Sequence, residues 1–165
     1  MRGHDVVDDL VDQWRRERPD LDLAPMATIG RLGRVMAHLG PRIEDVFARH
    51  GLTTADFDVL AALRRAGEPF AMRPTDLSRL LMLSPAGMTN RLDRLDAAGL
   101  VERSPDPHDR RSWTIALTAR GREVVDAAVT EHVANEAELL APLSATQRAA
   151  LDRALRVLLA HLEPG

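Results

Sequence analysis

The chain has 165 residues, 45% of them hydrophobic, and a formal net charge of −3, which suits one soluble domain with a sizeable core. No apolar run approaches the roughly 18 residues of a membrane span, and the opening MRGHDVVDDL is too acidic for a signal peptide, so a cytoplasmic protein with no membrane partner is expected. Zero cysteines exclude disulfides, thiolate-held zinc and cysteine-based redox sensing.

All 22 basic residues are arginine, and they are unevenly placed. Between Arg73 and Arg122 nine arginines meet six acids, so that stretch carries +3 and the remainder −6. A basic centre between acidic ends suits a chain that offers one surface to phosphates.

In chain order, Val7, Leu10, Val11 and Trp14 fall at helical spacing and predict an amphipathic helix over about residues 4–17. RPDLDLAP, with two prolines, reads as a linker. A long helix from Met26 to His50 carries Ile29, Leu32, Met36, Leu39, Ile43 and Val46, with a bend expected at Gly40-Pro41. Thr53 or Thr54 caps a helix that ends before Gly67 and Pro69. PFAMR is a short extended piece. The next helix, Pro74–Met82, is expected to bury Leu77, Leu80 and Leu81.

Ser84-Pro85 is a strong helix start, because serine caps and proline at the first position loses no needed hydrogen bond. That helix runs to Ala98 and stops at Gly99. LVERS and SWTIAL read as two strands around the turn PDPHDRR. Thr118 then caps a helix to about Leu140. SATQ is a capping box for a last helix whose Leu151, Leu155, Leu158 and Leu162 form a seam suited to helix pairing.

The predicted fold is therefore mainly α with a small β-hairpin wing: a winged helix-turn-helix over residues 53–117. The first 25 residues hold an extra helix and linker. Residues 26–52 and 118–165 supply dimerisation helices. In such a unit the second helix lies in the major groove and the wing reaches the neighbouring minor groove. At about 100° per residue, Leu92 and Leu95 fall within about 40° of Met88, while Ala86, Asn90, Asp93 and Ala97 lie opposite, flanked by Thr89 and Arg94. Small and amide side chains suit base edges. The candidate DNA contacts are Ser84, Ala86, Thr89, Asn90 and Arg94, and the partner is double-stranded operator DNA.

Arg91 falls at about 300° on the same wheel, inside the buried arc. A buried guanidinium needs an acid opposite it. Its neighbours three and four residues on are Arg94 and Leu95, so the partner must come from another element. Asp58, on the helix TADFDVLAALRRAG, has no local cation at i+3, i+4 or i−4.

The run DPHDRRSWTIALTARG resembles the wing signature of the MarR family of bacterial transcriptional regulators, through Asp109, Arg111, Leu117, Thr118 and Gly121. The resemblance covers nearly the whole chain. It implies that Arg111 enters the minor groove, that Asp109 orients it with Arg110 beside it, and that the protein is a homodimer on an inverted-repeat operator. Together, the extra helix with its tryptophan, FDVLAALRRAG and MTNRLDRL…GLVER resemble the PecS-like, urate-responsive branch of that family. This likeness implies a ligand set of Trp14, Asp58, Arg91 and Arg103, and a small anion such as urate or a related purine as partner. Asp58–Arg91 as a switch and as a fixed structural pair both stay open, as does another ligand such as xanthine or an aromatic carboxylate.

Two readings from other classes carry less. Six histidines with no compact ligand spacing, no glycine-rich phosphate loop and no Gly-x-Ser-x-Gly elbow leave no enzyme motif, metal site or cofactor to propose. A winged module that has lost DNA binding or ligand sensing would not need Asn90, Asp109, Arg110 and Arg111.

Overall fold

The computed structural model describes residues 3–106 and 109–163, with side chains at all of them except 106 and 109–111. The chain divides into two compact units, one ending at Arg42 and the other starting at Ile43.

The first unit holds α1 (Val6–Glu17) and the opening turns of α2 (Ala24–Arg49). Asp5 caps α1: its carboxylate accepts from the Val7 and Asp8 amides at 2.8 and 3.1 Å, and the Asp8 carboxylate accepts in turn from the Asp5 amide. Arg31 of α2 donates to Asp5 at 2.8 Å and to Asp8 at 2.6 Å, tying the two helices together through that box. Val7, Val11 and Leu23 form a small core beneath it. The helix α2 continues through Pro41, whose missing amide hydrogen leaves the carbonyl four residues back without its helical donor.

The second unit holds the end of α2, α3 (Thr54–Arg65), β1 (Ala71–Met72), α4 (Pro74–Leu80), α5 (Pro85–Ala97), β2 (Val101–Asp106), β3 (Asp109–Leu117), α6 (Ala119–Leu140) and α7 (Ala145–Leu162). The three strands form one antiparallel sheet in the order β1-β3-β2, with Arg103 opposite Ile115 and Ala71 opposite Ala116. Its core gathers Val46, Phe47, Leu60, Leu63, Leu77, Met88, Leu95, Ile115 and Val125. Phe47 stacks on Phe57 with ring centroids 4.1 Å apart. This is a winged helix-turn-helix with added helices, as the sequence pattern predicts.

Two residues of LTARG fix where α6 starts. The Thr118 hydroxyl accepts from the Gly121 amide at 2.9 Å and donates to the Gly99 carbonyl at 2.8 Å. A Cβ on Gly121 would sit 1.9 Å from the Leu100 carbonyl oxygen, so only glycine allows α6 this close to the end of α5. Gly99 itself, at φ +67°, ends α5 in the left-handed region.

Burial departs from the expected stripes in several places. Leu77 is fully buried and Leu81 packs partly buried against the core, but Leu80 beside it is 54% exposed. In α1 only Val7 and Val11 of the four-residue stripe are buried, and Leu10 and Trp14 remain exposed. The faces expected to pair with another helix, Ile29, Leu32 and Met36 of α2 and Leu151, Leu155, Leu158 and Leu162 of α7, are exposed in the single chain and are not among these departures. No helix among the described residues is long and apolar enough to cross a membrane.

Candidate nucleic-acid interface and anion site

The helix α5 begins as the sequence demands. Ser84 caps it, its hydroxyl accepting from the Gly87 amide at 3.2 Å, and Pro85 follows at the first position. Met88, Leu92 and Leu95 are buried against the core, which leaves Ser84, Ala86, Thr89 and Asn90 exposed. The Thr89 hydroxyl donates back to the Pro85 carbonyl at 3.0 Å. The turn before α5 is tight, with Met82 at φ 52°.

Arg94 does not stand free beside these residues as its wheel position suggests. Its guanidinium is ion-paired to Asp56 of α3. A long side chain on the flank of α5 can reach back toward the core unit, and Asp56 is the one buried charged residue among those described. The Asp56 carboxylate is also held at home: Oδ2 accepts from the Thr53 amide at 3.0 Å and the Thr53 hydroxyl at 2.7 Å. Burial by itself would raise this carboxyl, but Arg94 and Thr53 outweigh it and hold it below the usual aspartate value. The sequence signal for Asp56 is the T-x-x-D capping box at 53–56.

Arg91 is half-buried, on the side of α5 that the wheel indicates. Its charge acts on Asp58, yet no ion pair or hydrogen bond joins the two among the described residues. The expected close pair is thus an open one. The bonded acid–arginine link between α3 and α5 is Asp56–Arg94 instead, because Asp56 is the carboxylate the fold buries. Asp58 keeps solvent contact but has protein mass around it, and this raises its carboxyl; Arg91, Arg65 and His132 oppose the rise without cancelling it. The His132 ring lies 5.4 Å from Phe57, next to Asp58 in the chain. Its buried Nδ1, like the buried hydroxyl of Thr54, finds no hydrogen-bond partner. Neither Arg65 nor His132 had a signal in the spacing.

Arg103, on β2, grips α5 rather than standing open. It is ion-paired to Asp93 and lies 3.6 Å from Asp96. It also lines a cleft of about 320 Å³ with Pro74, Thr89, Leu92, Trp113 and Ile115. Trp14 belongs to the first unit, on α1, while Asp58, Arg91 and Arg103 belong to the second. The wing residues Asp109, Arg110 and Arg111 open β3 by backbone, and their side chains lie outside the described residues, as does the turn at 107–108.

A capped helix with an exposed polar edge, preceded by a tight turn and followed by a two-stranded wing, defines a winged-helix DNA-binding protein. Residues 50–112 match the MarR family model. The chain is 43% identical over 157 residues to the HTH-type transcriptional regulator PecS of Dickeya dadantii, an alignment covering 95% of this chain and 92% of that one. The protein belongs to the MarR family of transcriptional regulators. Its fold is similar to AbsC of Streptomyces coelicolor, at 28% identity with a TM-score of 0.76, covering 88% of this chain and 97% of that chain. It is also similar to a mutant of Escherichia coli MarR solved in complex with operator DNA, at 28% identity with a TM-score of 0.70, covering 83% and 97% of the two chains.

Proposed function

We propose that this regulator works in the cytoplasm as a homodimeric repressor on an inverted-repeat operator and is released by a small anion, urate or a related purine. One observation carries the reading. The helix with the exposed Ala86, Thr89 and Asn90 edge also carries Arg91, set toward Asp58 with no bond between them. A ligand that takes Arg91 therefore acts on the element that reads DNA.

Asn90 suits adenine, and Thr89, its hydroxyl already spent on Pro85, suits a thymine methyl. Ser84 and Ala86, at the N-terminal end of α5, are assigned to the same DNA-facing edge. Arg111, oriented by Asp109 and flanked by Arg110, is assigned to the minor groove. We assign DNA binding to residues 53–117 and dimerisation to 26–52 and 118–165. The exposed apolar faces of α2 and α7 support the dimer, since scattered apolar residues are ordinary on a monomer but such runs call for a partner. Twofold symmetry then sets half-sites about 10 bp apart.

A planar anion takes an arginine through two parallel hydrogen bonds. Seated on Arg91, it would repel the ionised Asp58 and alter the pose of α5. It releases DNA only to the extent that it binds the DNA-free form more tightly. The test is fluorescence anisotropy on a duplex from the region upstream of the protein's own gene, titrated with urate. Urate at millimolar concentration should weaken binding, Asp58→Asn and Arg91→Gln should blunt that response, and Arg111→Ala should weaken binding with the dimer intact. No urate effect removes the purine assignment; unchanged affinity in Arg111→Ala removes the wing role.

The cleft beside the wing supports a second reading. Arg103 and Trp113 line it together, a cation and an aromatic face suited to an aromatic carboxylate. Salicylate or benzoate in the same titration separates the two, because Trp113→Ala removes this response and leaves that of Asp58 untouched.

A further inference from the structure

We infer that Asp56 is a positioning residue for operator recognition, fixing the rotation of α5 about its own axis through Arg94. The inference rests on α5 being the DNA-reading helix. Asp56 is buried, with its side chain 7% exposed, whereas Arg94 is 57% exposed. One carboxylate oxygen is held by both Thr53 donors, so Asp56 cannot swing to follow a moving partner. The other oxygen holds a single guanidinium nitrogen. A rotation of α5 that carries Arg94 beyond the reach of its own side chain breaks that contact, since Asp56 cannot follow it.

On β2, Arg103 holds Asp93 and approaches Asp96. Residues 93, 94 and 96 all lie in the C-terminal half of α5, so its two charge ties, one to α3 and one to the wing, flank the same turn. The N-terminal half, with the proposed contacts Ser84, Ala86, Thr89 and Asn90, projects beyond that clamp. A small rotation at residue 94 displaces every one of those side chains together, and base reading tolerates about 0.5 Å of misplacement. The pairing also satisfies the charge of Arg94 within the protein, which makes its contribution directional rather than a general attraction to phosphate.

The test uses the full-length protein and a duplex that the wild type selects from a random library, with a scrambled duplex as reference, each measured across a salt series. Asp56→Asn and Arg94→Gln should each lower the ratio of specific to non-specific affinity about tenfold, the size of one lost base contact, and the double variant should lose no more. Asp56→Glu, which keeps both charge and capping box, should retain most of the ratio. Arg94→Gln alters an exposed side chain and keeps the proposal testable if Asp56→Asn lowers the melting temperature. The slope of log affinity against log salt should not change. A slope flatter by about one per subunit in Arg94→Gln makes Arg94 a phosphate contact and overturns the positioning role. An unchanged ratio in both single variants overturns it too, with DNA reading by α5 intact. If the wild type selects no sequence, the DNA-reading assignment falls, and this inference with it.

Discussion

Asp58 of α3 and Arg91 of α5 act on each other's charge without an ion pair between them, while two residues earlier Asp56 is bonded to Arg94. The same two helices thus share one closed link and one open one. The open link leaves Asp58 in contact with water but with its ionised form disfavoured by the protein around it.

Replacing Asp58 by Asn should therefore not destabilise the protein at pH 7. The folded carboxyl titrates above its ordinary value of 3.8. A raised folded value gives stability that is present below the unfolded value and lost as pH rises through the folded one. At pH 7 that contribution is gone, so Asp58→Asn should match or exceed the wild-type melting temperature there, and its advantage should shrink as pH falls and the wild-type carboxyl becomes neutral. Asp56 has the opposite sign: its contribution is present above the unfolded value and is lost as pH falls through its lowered folded value. Urea denaturation from pH 3 to 7 at one protein concentration checks both, and a loss of stability at pH 7 in Asp58→Asn would show that the open pair is structural.

Gly121→Ala should be among the costliest single-methyl changes in the chain. The added Cβ would meet the Leu100 carbonyl oxygen at 1.9 Å, and that atom is backbone. Either α6 or the α5–β2 turn must move, at a cost of about 3 kcal/mol. Calorimetry reads this directly. The same substitution at Gly33, where nothing lies within 4 Å and the helix gains a better helix former, should be neutral or stabilising.

Arg103→Gln should separate stability from DNA binding. The Arg103–Asp93 pair is surface-exposed, at 36% and 58%, so its loss should cost about 0–1 kcal/mol of stability. It nevertheless joins the wing to the recognition helix, and a loosened wing must be ordered again on DNA. Operator affinity should fall severalfold in anisotropy measurements while the melting temperature holds. Equal affinity would mean that the β2–β3 ladder alone sets the wing.

The elements were legible because their signals are local. Ser84-Pro85, Thr118 with Gly121 three residues on, and SATQ each announce a helix start through hydrogen bonds made within four residues. The 3.6-residue period fixed which side of α5 is buried, and so the inward lean of Arg91. Local signals also misled: periodicity placed Leu80 and Leu10 on buried faces, but period says only which residues share a face, and what covers that face depends on distant chain.

By itself, the sequence determined the order of elements, the caps, the buried face of the recognition helix and the type of its exposed edge, because backbone hydrogen bonding and side-chain period act over one or two turns. Which carboxylate met which arginine was decided only in three dimensions. Asp56 and Asp58 are two residues apart on α3, and Arg91 and Arg94 three apart on α5, so spacing allowed either match. The fold buried Asp56 and left Asp58 in contact with water. A buried carboxylate must find a charged donor or lose its ionised form, and Arg94 was the cation within reach.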